Sequence, residues 1–538
     1  VNRSAGINVK DYPYLAAGDG VTNDSAAIQA AVDACIAAGG GSILIPPGKY
    51  MLGSTIDIAA DTQPVWLIGL GGATSGYQLS DEGCYIAPLN ALPNGMIRFR
   101  SPTGALSRAR CGSGGVVGLT FLDPTAAGNA QPGTRSIKAA LSLEDFNFGV
   151  VRDCHFRNLL GCGIRAEFMV MGDIDRCTFR YCGDTSKPAL HLGAGPSGTS
   201  VQSTAVRSCR LEVNWTATYL KMDQYCGDCK VIACGFESED TGGIYVATQQ
   251  RYIESLGGKN IISGCHFNRN TKANVYTNST AGRNVVNGCR TSTSTIAAQT
   301  EARFIIADNN NVIGDISADY GFAEDLLFNV TGFYNTLSNI SSLNAGGIAL
   351  AAWNTLQGFF SQACAKASGF VVTAADFCLV QGCIIRNPLT AAVGGIQTSG
   401  NFARIKDNVV TGCGVGSTAF DLQGAPFVEA NIQSGNSGTA YALGASARVE
   451  RNEGIMDGSV VWNPGTVAAG SAGIVTTTLA VTGCHRGDNV RVRSTFSNSS
   501  LIVTGYINAD GTVTIQLFNP TAAGIAPGSM TYVVSVTR

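Results

Sequence analysis

The chain has 538 residues, 45% hydrophobic and only 14% charged, with 67 glycines and a formal charge of −2. That length exceeds one ordinary hydrophobic core, so the chain must form several domains or one elongated repeat body. The charge balance offers no field for a nucleic-acid partner, and no apolar run is long enough for membrane insertion.

The sequence starts at Val1 with neither a basic n-region nor an apolar h-region, and so reads as a fragment or processed form. Asp24 followed by Ser25 and the apolar positions Ile28, Ala31, Val32 and Cys35 predicts a helix capped by Asp24 and ended by Gly39-Gly40-Gly41. A short buried strand, Ser42 to Ile45, and a Pro46-Pro47-Gly48 turn come next. A helix there covers the open end of a stack of strands, whose unpaired backbone would otherwise join another chain.

From about Val65 to Glu453, short apolar stretches alternate with Gly, Asn, Asp and Ser turns, and a block of the form Val/Ile-x-x-Cys-x-(large apolar or β-branched) recurs. Its central positions are Leu119, Cys154, Cys177, Cys209, Cys234, Cys265 and Cys289, at intervals of 35, 23, 32, 25, 31 and 24 residues, with Cys383 and Asn408 further on. Such spacing suits a strand that winds once round per block with loops of varying length, the pattern of a parallel β-solenoid. After Met456 the strands lengthen and alternate, with Asn508-Ala509-Asp510-Gly511 as a hairpin loop, which predicts an antiparallel β-sandwich. The expected organisation is all-β: residues 1–64 a capped start, 65–455 the coil, and 456–538 the sandwich.

Eighteen cysteines suggest a disulfide framework until their placement is read. Seven share one slot of the repeat and face a dry interior, so they are expected to remain thiols, formed in a reducing cytoplasm. Cys226-Gly-Asp-Cys229 has no second pair nearby and falls at a turn between rungs, and four histidines show no ligand spacing. No metal site and no cofactor are expected. Gly193 to Gly198 fits a dinucleotide glycine pattern, but Pro196 denies it the following helix, and G-x-S-x-G does not occur.

The segments Asp11-Tyr12, Gly18-Asp19-Gly20-Val21-Thr22-Asn23-Asp24-Ser25, Ala27-Ile28-Gln29-Ala30-Ala31 and Pro46-Pro47-Gly48-Lys49-Tyr50 resemble the opening of the pectate-lyase-like β-helix superfamily, bacteriophage tailspikes in particular. The coil and the region after Trp462-Asn463-Pro464-Gly465 resemble tailspike depolymerases more loosely. The resemblance implies a right-handed parallel β-helix and a homotrimer that binds and cuts bacterial surface polysaccharide. It also implies a place on the virion tail, acting outside the cell, with attachment to tail or baseplate through an N-terminal segment that this sequence lacks.

Residues one and three places after each block cysteine point outward and stack into columns. The first reads His155, Thr178, Arg210, Gly235, His266, Arg290 and the second Arg157, Arg180, Glu212, Glu237, Asn268, Ser292. Glu212 and Glu237 then fall on neighbouring rungs about 4.8 Å apart at the backbone, and like charges that close favour keeping one carboxyl protonated. One acid to protonate the leaving oxygen and one carboxylate to attack or to activate water is the requirement for glycosidic cleavage. Glu239 and Asp240 are further candidate catalytic acids; Arg180, Arg210, Trp215, Tyr225, Tyr245 and His266 are candidate sugar contacts, with Tyr219 and Tyr252 also near the rungs. The plain alternative is that the glutamates are solvated and paired with Arg180 and Arg210. Three functions compete: an endo-glycosidase, a lyase that uses Arg210 or His266 as base on a uronate glycan, and a non-catalytic glycan-binding fibre.

Overall fold

In the computed structural model, residues 6–537 are described except 61, 72–82, 104–113, 126–132, 197–198, 215–217, 239–250, 269–271, 280–281, 293–301, 320–325, 344–345, 365–368, 387–392, 414–416, 435–438, 444–447, 451–455, 465, 470–473, 482–483, 495–500, 522 and 527–529. The chain divides into two compact units, Val1–Tyr320 and Gly321–Arg538. Each contains rungs of a right-handed parallel β-helix.

A rung has three faces. Around Cys209 the first is the strand Ala205–Arg207, the second Arg210–Glu212 and the third Thr218–Met222. The sequence block therefore spans two faces, with its cysteine at the corner between them. The break falls just before the cysteine, where Asp153, Arg176, Ser208 and Ala233 take left-handed φ of 49° to 53°. This turns the chain sharply while leaving the next Cβ pointing inward.

The corner explains why cysteine fills the slot. A tight turn leaves carbonyls facing the interior, and a buried carbonyl needs a donor. Cys177 Sγ reaches Asp175 C=O at 3.4 Å and Val151 C=O of the adjacent rung at 3.6 Å. Cys209 repeats this with Arg207 at 3.2 Å and Ile174 at 3.6 Å, and Cys234 with Ile232 at 3.4 Å and Val206 at 3.6 Å. A thiol is small and apolar enough for the core yet still a weak donor. Asn408, the variant of the block, does the same with an amide: Nδ2 donates to Val380 C=O at 3.0 Å and Oδ1 accepts from Cys383 N–H at 2.9 Å.

The corner between the third and first faces uses the same device. Asn260 Oδ1 accepts from Cys229 N–H at 3.0 Å, Asn284 Oδ1 from Asn260 N–H at 2.9 Å, and Asn311 Oδ1 from Asn284 N–H at 2.8 Å. This places Cys226 and Cys229 in a buried corner of the coil. Asp308 anchors the ladder by accepting from Asn284 Nδ2 at 2.7 Å and Asn311 Nδ2 at 2.8 Å, and burial pushes its carboxyl up.

Between the corners the core is a stack of rings and branched chains. Phe121, Phe156 and Phe179 lie nearly parallel with centroids 5.2 and 4.8 Å apart, and Phe236 and Phe267 follow at 5.3 Å. Thr291 stands where a phenylalanine would extend the stack, and its buried hydroxyl accepts from Asn274 Nδ2 at 3.0 Å. All seventeen described cysteines are buried thiols.

The N-terminal helix, Ser25–Ala37, buries Ile28, Ala31, Val32 and Cys35 as expected. Its cap differs. Asp24 makes no side-chain hydrogen bond to the helix; its carboxylate instead accepts from Ala17 N–H at 2.6 Å and Gly18 N–H at 3.2 Å, fastening the preceding loop. At the other end of the chain, Met456–Trp462, Met530–Thr537 and Asn489–Ser494 form one antiparallel sheet, and Ile474–Ala480, Thr512–Phe518 and Ile502–Ala509 another. Val513, Ile515, Leu517, Tyr532, Val534 and Val536 fill a shared core.

Asn284→Ala removes an acceptor from one rung and a donor from Asp308, and should destabilise the fold by about 1–3 kcal/mol, measured by denaturant unfolding. With a thiol reagent, the seventeen described cysteines should react only after unfolding; rapid native labelling of several of them would contradict the packed thiol columns.

Candidate functional site

The register of the second face sets which outward side chains meet. Arg180 pairs with Glu212, Glu212 with Glu237, Glu237 with Asn268 and Asn268 with Ser292, each on consecutive parallel strands. The columns read from the cysteine slot are thus the columns of the fold, and Cys209 and Cys234 occupy adjacent rungs.

Both glutamates are half-buried. Arg210 Nη1 lies 3.6 Å from Glu212 Oε1, but the arginine side chain is 74% exposed, so this pair contributes little to stability and leaves the carboxylate accessible. Glu237 Oε1 accepts from Asn268 Nδ2 at 3.2 Å, Ser292 Oγ donates to Asn268 Oδ1 at 3.5 Å, and His266 Nε2 lies 3.0 Å from the same hydroxyl. A polar chain therefore runs along this face from Glu237 to His266. Desolvation and then the neighbouring Arg290 push the His266 imidazole below its usual value, which keeps it neutral near pH 7.

Several expected sugar contacts are not brought to this face. Arg180 is only 9% exposed; its guanidinium lies 4.9 Å from the Tyr181 ring and its Nη2 donates to Tyr181 Oη at 3.0 Å, so it braces the corner and does not present an open cation. Tyr219 and Tyr252 are fully buried, 5.0 Å apart, and Tyr252 Oη donates to Asn268 C=O. They are the floor beneath the glutamates and cannot stack on a sugar. Tyr225 is half-buried in the turn between the third and first faces, so the whole third face separates it from Glu212 along the rung. Trp215, Glu239, Asp240 and Tyr245 lie outside the described residues.

The sequence reading missed a second charged cluster, on the third face of unit 1. Lys138 Nζ bridges Glu144 at 2.7 Å and Glu167 at 2.8 Å; Arg98 and Arg165 close on the same two carboxylates at 2.5 and 2.6 Å. Burial draws the Glu144 carboxyl up, but Arg98 and Lys138 outweigh it and hold the group below its usual value. An acid held by cations as Glu144 is makes a poor proton donor. Strands of the third face carry no repeated block, so no column could be drawn from sequence.

Residues 6–81 match the rhamnogalacturonase A/epimerase, pectate lyase-like family. Mannuronan C5-epimerase AlgE6 of Azotobacter vinelandii is 60% identical over 43 residues, 8% of this chain and 5% of the epimerase; Alginate lyase 7 of the same organism is 42% identical over 79 residues, 14% and 9%. The chain thus spans less than a tenth of these curated relatives' length. A mutant tailspike protein of E. coli bacteriophage HK620, solved with a pentasaccharide, is similar over 99% of this chain and 94% of that one, with a TM-score of 0.50 and 14% identity. That likeness is one of fold.

Replacing Arg290 with Gln removes a neighbouring positive charge and should raise the His266 titration midpoint, followed by NMR; an unchanged midpoint would mean the two side chains do not sense each other.

Proposed function

We propose, for a chain whose opening is pectate-lyase-like and whose fold is that of a tailspike, that it is a phage tailspike endo-glycosidase that depolymerises a bacterial surface polysaccharide, capsule or O-antigen. The observation that carries this reading is the in-register pair Glu212 and Glu237 on adjacent outward rungs. One carboxyl protonates the glycosidic oxygen as the bond breaks, and the other attacks the anomeric carbon or activates water. Arg210, an exposed cation, lies beside Glu212, and Glu237 accepts from the Asn268 amide.

In this reading the enzyme works as a homotrimer on the virion tail, with residues 456–538 as the trimerising sandwich. Light scattering of the purified chain tests the trimer.

One observation favours a second reading, β-elimination on a uronate glycan. His266 and Arg290 are in register on adjacent rungs, so a neutral imidazole able to take the C5 proton sits beside a guanidinium able to neutralise the uronate carboxylate.

Glu212→Gln and Glu237→Gln should each lower the release of reducing ends from a cleaved capsule or O-antigen by at least about 100-fold, with far-ultraviolet dichroism unchanged. Full activity in both variants sinks the site. Near-ultraviolet absorbance of an unsaturated product, lost in His266→Ala, selects the lyase.

A further inference from the structure

Unit 2 has an aromatic ladder on its surface that the glutamate face does not use. Tyr334, Trp353, Phe377 and Phe402 are 39% to 57% exposed. Each occupies a left-handed corner, with φ between 57° and 62°, a conformation that favours glycine or asparagine and disfavours bulky side chains. Backbone hydrogen bonds tie them to successive rungs: Tyr334 N–H donates to Trp353 C=O, Trp353 to Asp376, Phe377 to Asn401 and Phe402 to Ala425. Ring centroids are 5.8, 4.0 and 5.3 Å apart along the column.

The ring planes of Trp353 and Phe377 lie within 8° and those of Phe377 and Phe402 within 18°. The inner faces therefore cover one another, and the edges face water. The next rung places Gly424 and Ala425 at this corner, Gly424 with φ of 78°, so no ring continues the stack beyond Phe402.

Beside that end lies an open groove of about 340 Å³ lined by Leu379, Gln381, Arg404, Lys406, Phe427 and Glu429, at the lower end of small-ligand site volumes. Lys406 Nζ is 3.6 Å from Glu429 Oε2, and Gln381 Nε2 donates to Asp407 Oδ2 at 3.2 Å. Arg404 is exposed, holds its guanidinium 6.0 Å from the Phe427 centroid and forms no ion pair among the described residues. An aromatic plane, hydrogen-bonding amide and carboxylate groups and an open guanidinium are together what a sugar acid requires. Its C–H face lies on the ring, its hydroxyls meet the polar groups, and its carboxylate pairs with the arginine.

We infer that this ladder and groove bind a uronate-bearing stretch of polysaccharide without cutting it, a second carbohydrate platform separate from Glu212 and Glu237. The inference rests on the polysaccharide reading of the chain. A second copy of the chain is the competing occupant, but covering the ladder with an apolar surface would bury Arg404 without a partner, at a high desolvation cost.

The test uses the full chain with alginate, hyaluronan and polygalacturonate as polyuronate probes and dextran as a neutral control, read by equilibrium binding and by Trp353 fluorescence. Phe402→Asn keeps a residue that tolerates the left-handed corner, and Arg404→Gln leaves the stack intact. Each should weaken binding of at least one polyuronate about tenfold, with dextran unbound. Unchanged affinity in both variants overturns the inference while leaving the polysaccharide reading in place, as does a drop in molecular mass of Phe402→Asn by light scattering with affinity intact, which makes the ladder an interface between copies. Binding of none of the three polyuronates also overturns it. If binding falls in these variants while Glu212→Gln and Glu237→Gln keep full cleavage, the platform stands and the catalytic assignment fails.

Discussion

The buried corner is the interaction on which the rest depends. A coil of three-residue strands must turn sharply several times per rung, and each turn strands carbonyl and amide groups in a dry interior. Left-handed residues make the turn, and one side chain behind each, a thiol on one edge and an amide on another, supplies the missing partners and links that rung to the next. Because these links run between rungs, they fix the vertical register before any surface residue is considered. Glu212 meets Glu237 because Cys209 sits beside Cys234.

Much of this was legible in the sequence, for one reason: a corner that allows so few side chains leaves a periodic trace. The cysteine slot gave the coil, the outward columns and the thiol state, and the apolar stripe of Ile28, Ala31, Val32 and Cys35 gave the helix. Readings failed where partners come from outside the local pattern. Asp24 has the spacing of a helix cap but is taken by Ala17 and Gly18. Arg180 belongs to the outward column, yet Tyr181 at the following corner draws it down. Tyr219 and Tyr252 begin strands of the third face, which has no repeating block to say which way a side chain points; both went into the core.

The two charged faces of unit 1 illustrate how surroundings, more than residue type, assign a carboxylate its work. Glu144 and Glu167 are locked by Lys138, Arg98 and Arg165 into a fixed ionic lattice. Glu212 lies 3.6 Å from an Arg210 side chain that is 74% exposed, and Glu237 accepts from the Asn268 amide. The same kinds of charged side chain thus form a dense ionic network on one face of the coil and a looser polar chain on another.

Uneven spacing between blocks, from 23 to 35 residues in unit 1, acquires a meaning from the corners. Since the corners and the strand ladders hold successive windings in step, the excursions between blocks carry no responsibility for alignment. A longer or shorter excursion alters the exterior and leaves the interior thread as it was. Excursion length and rung alignment are thereby set by different stretches of the chain, so one can change without disturbing the other.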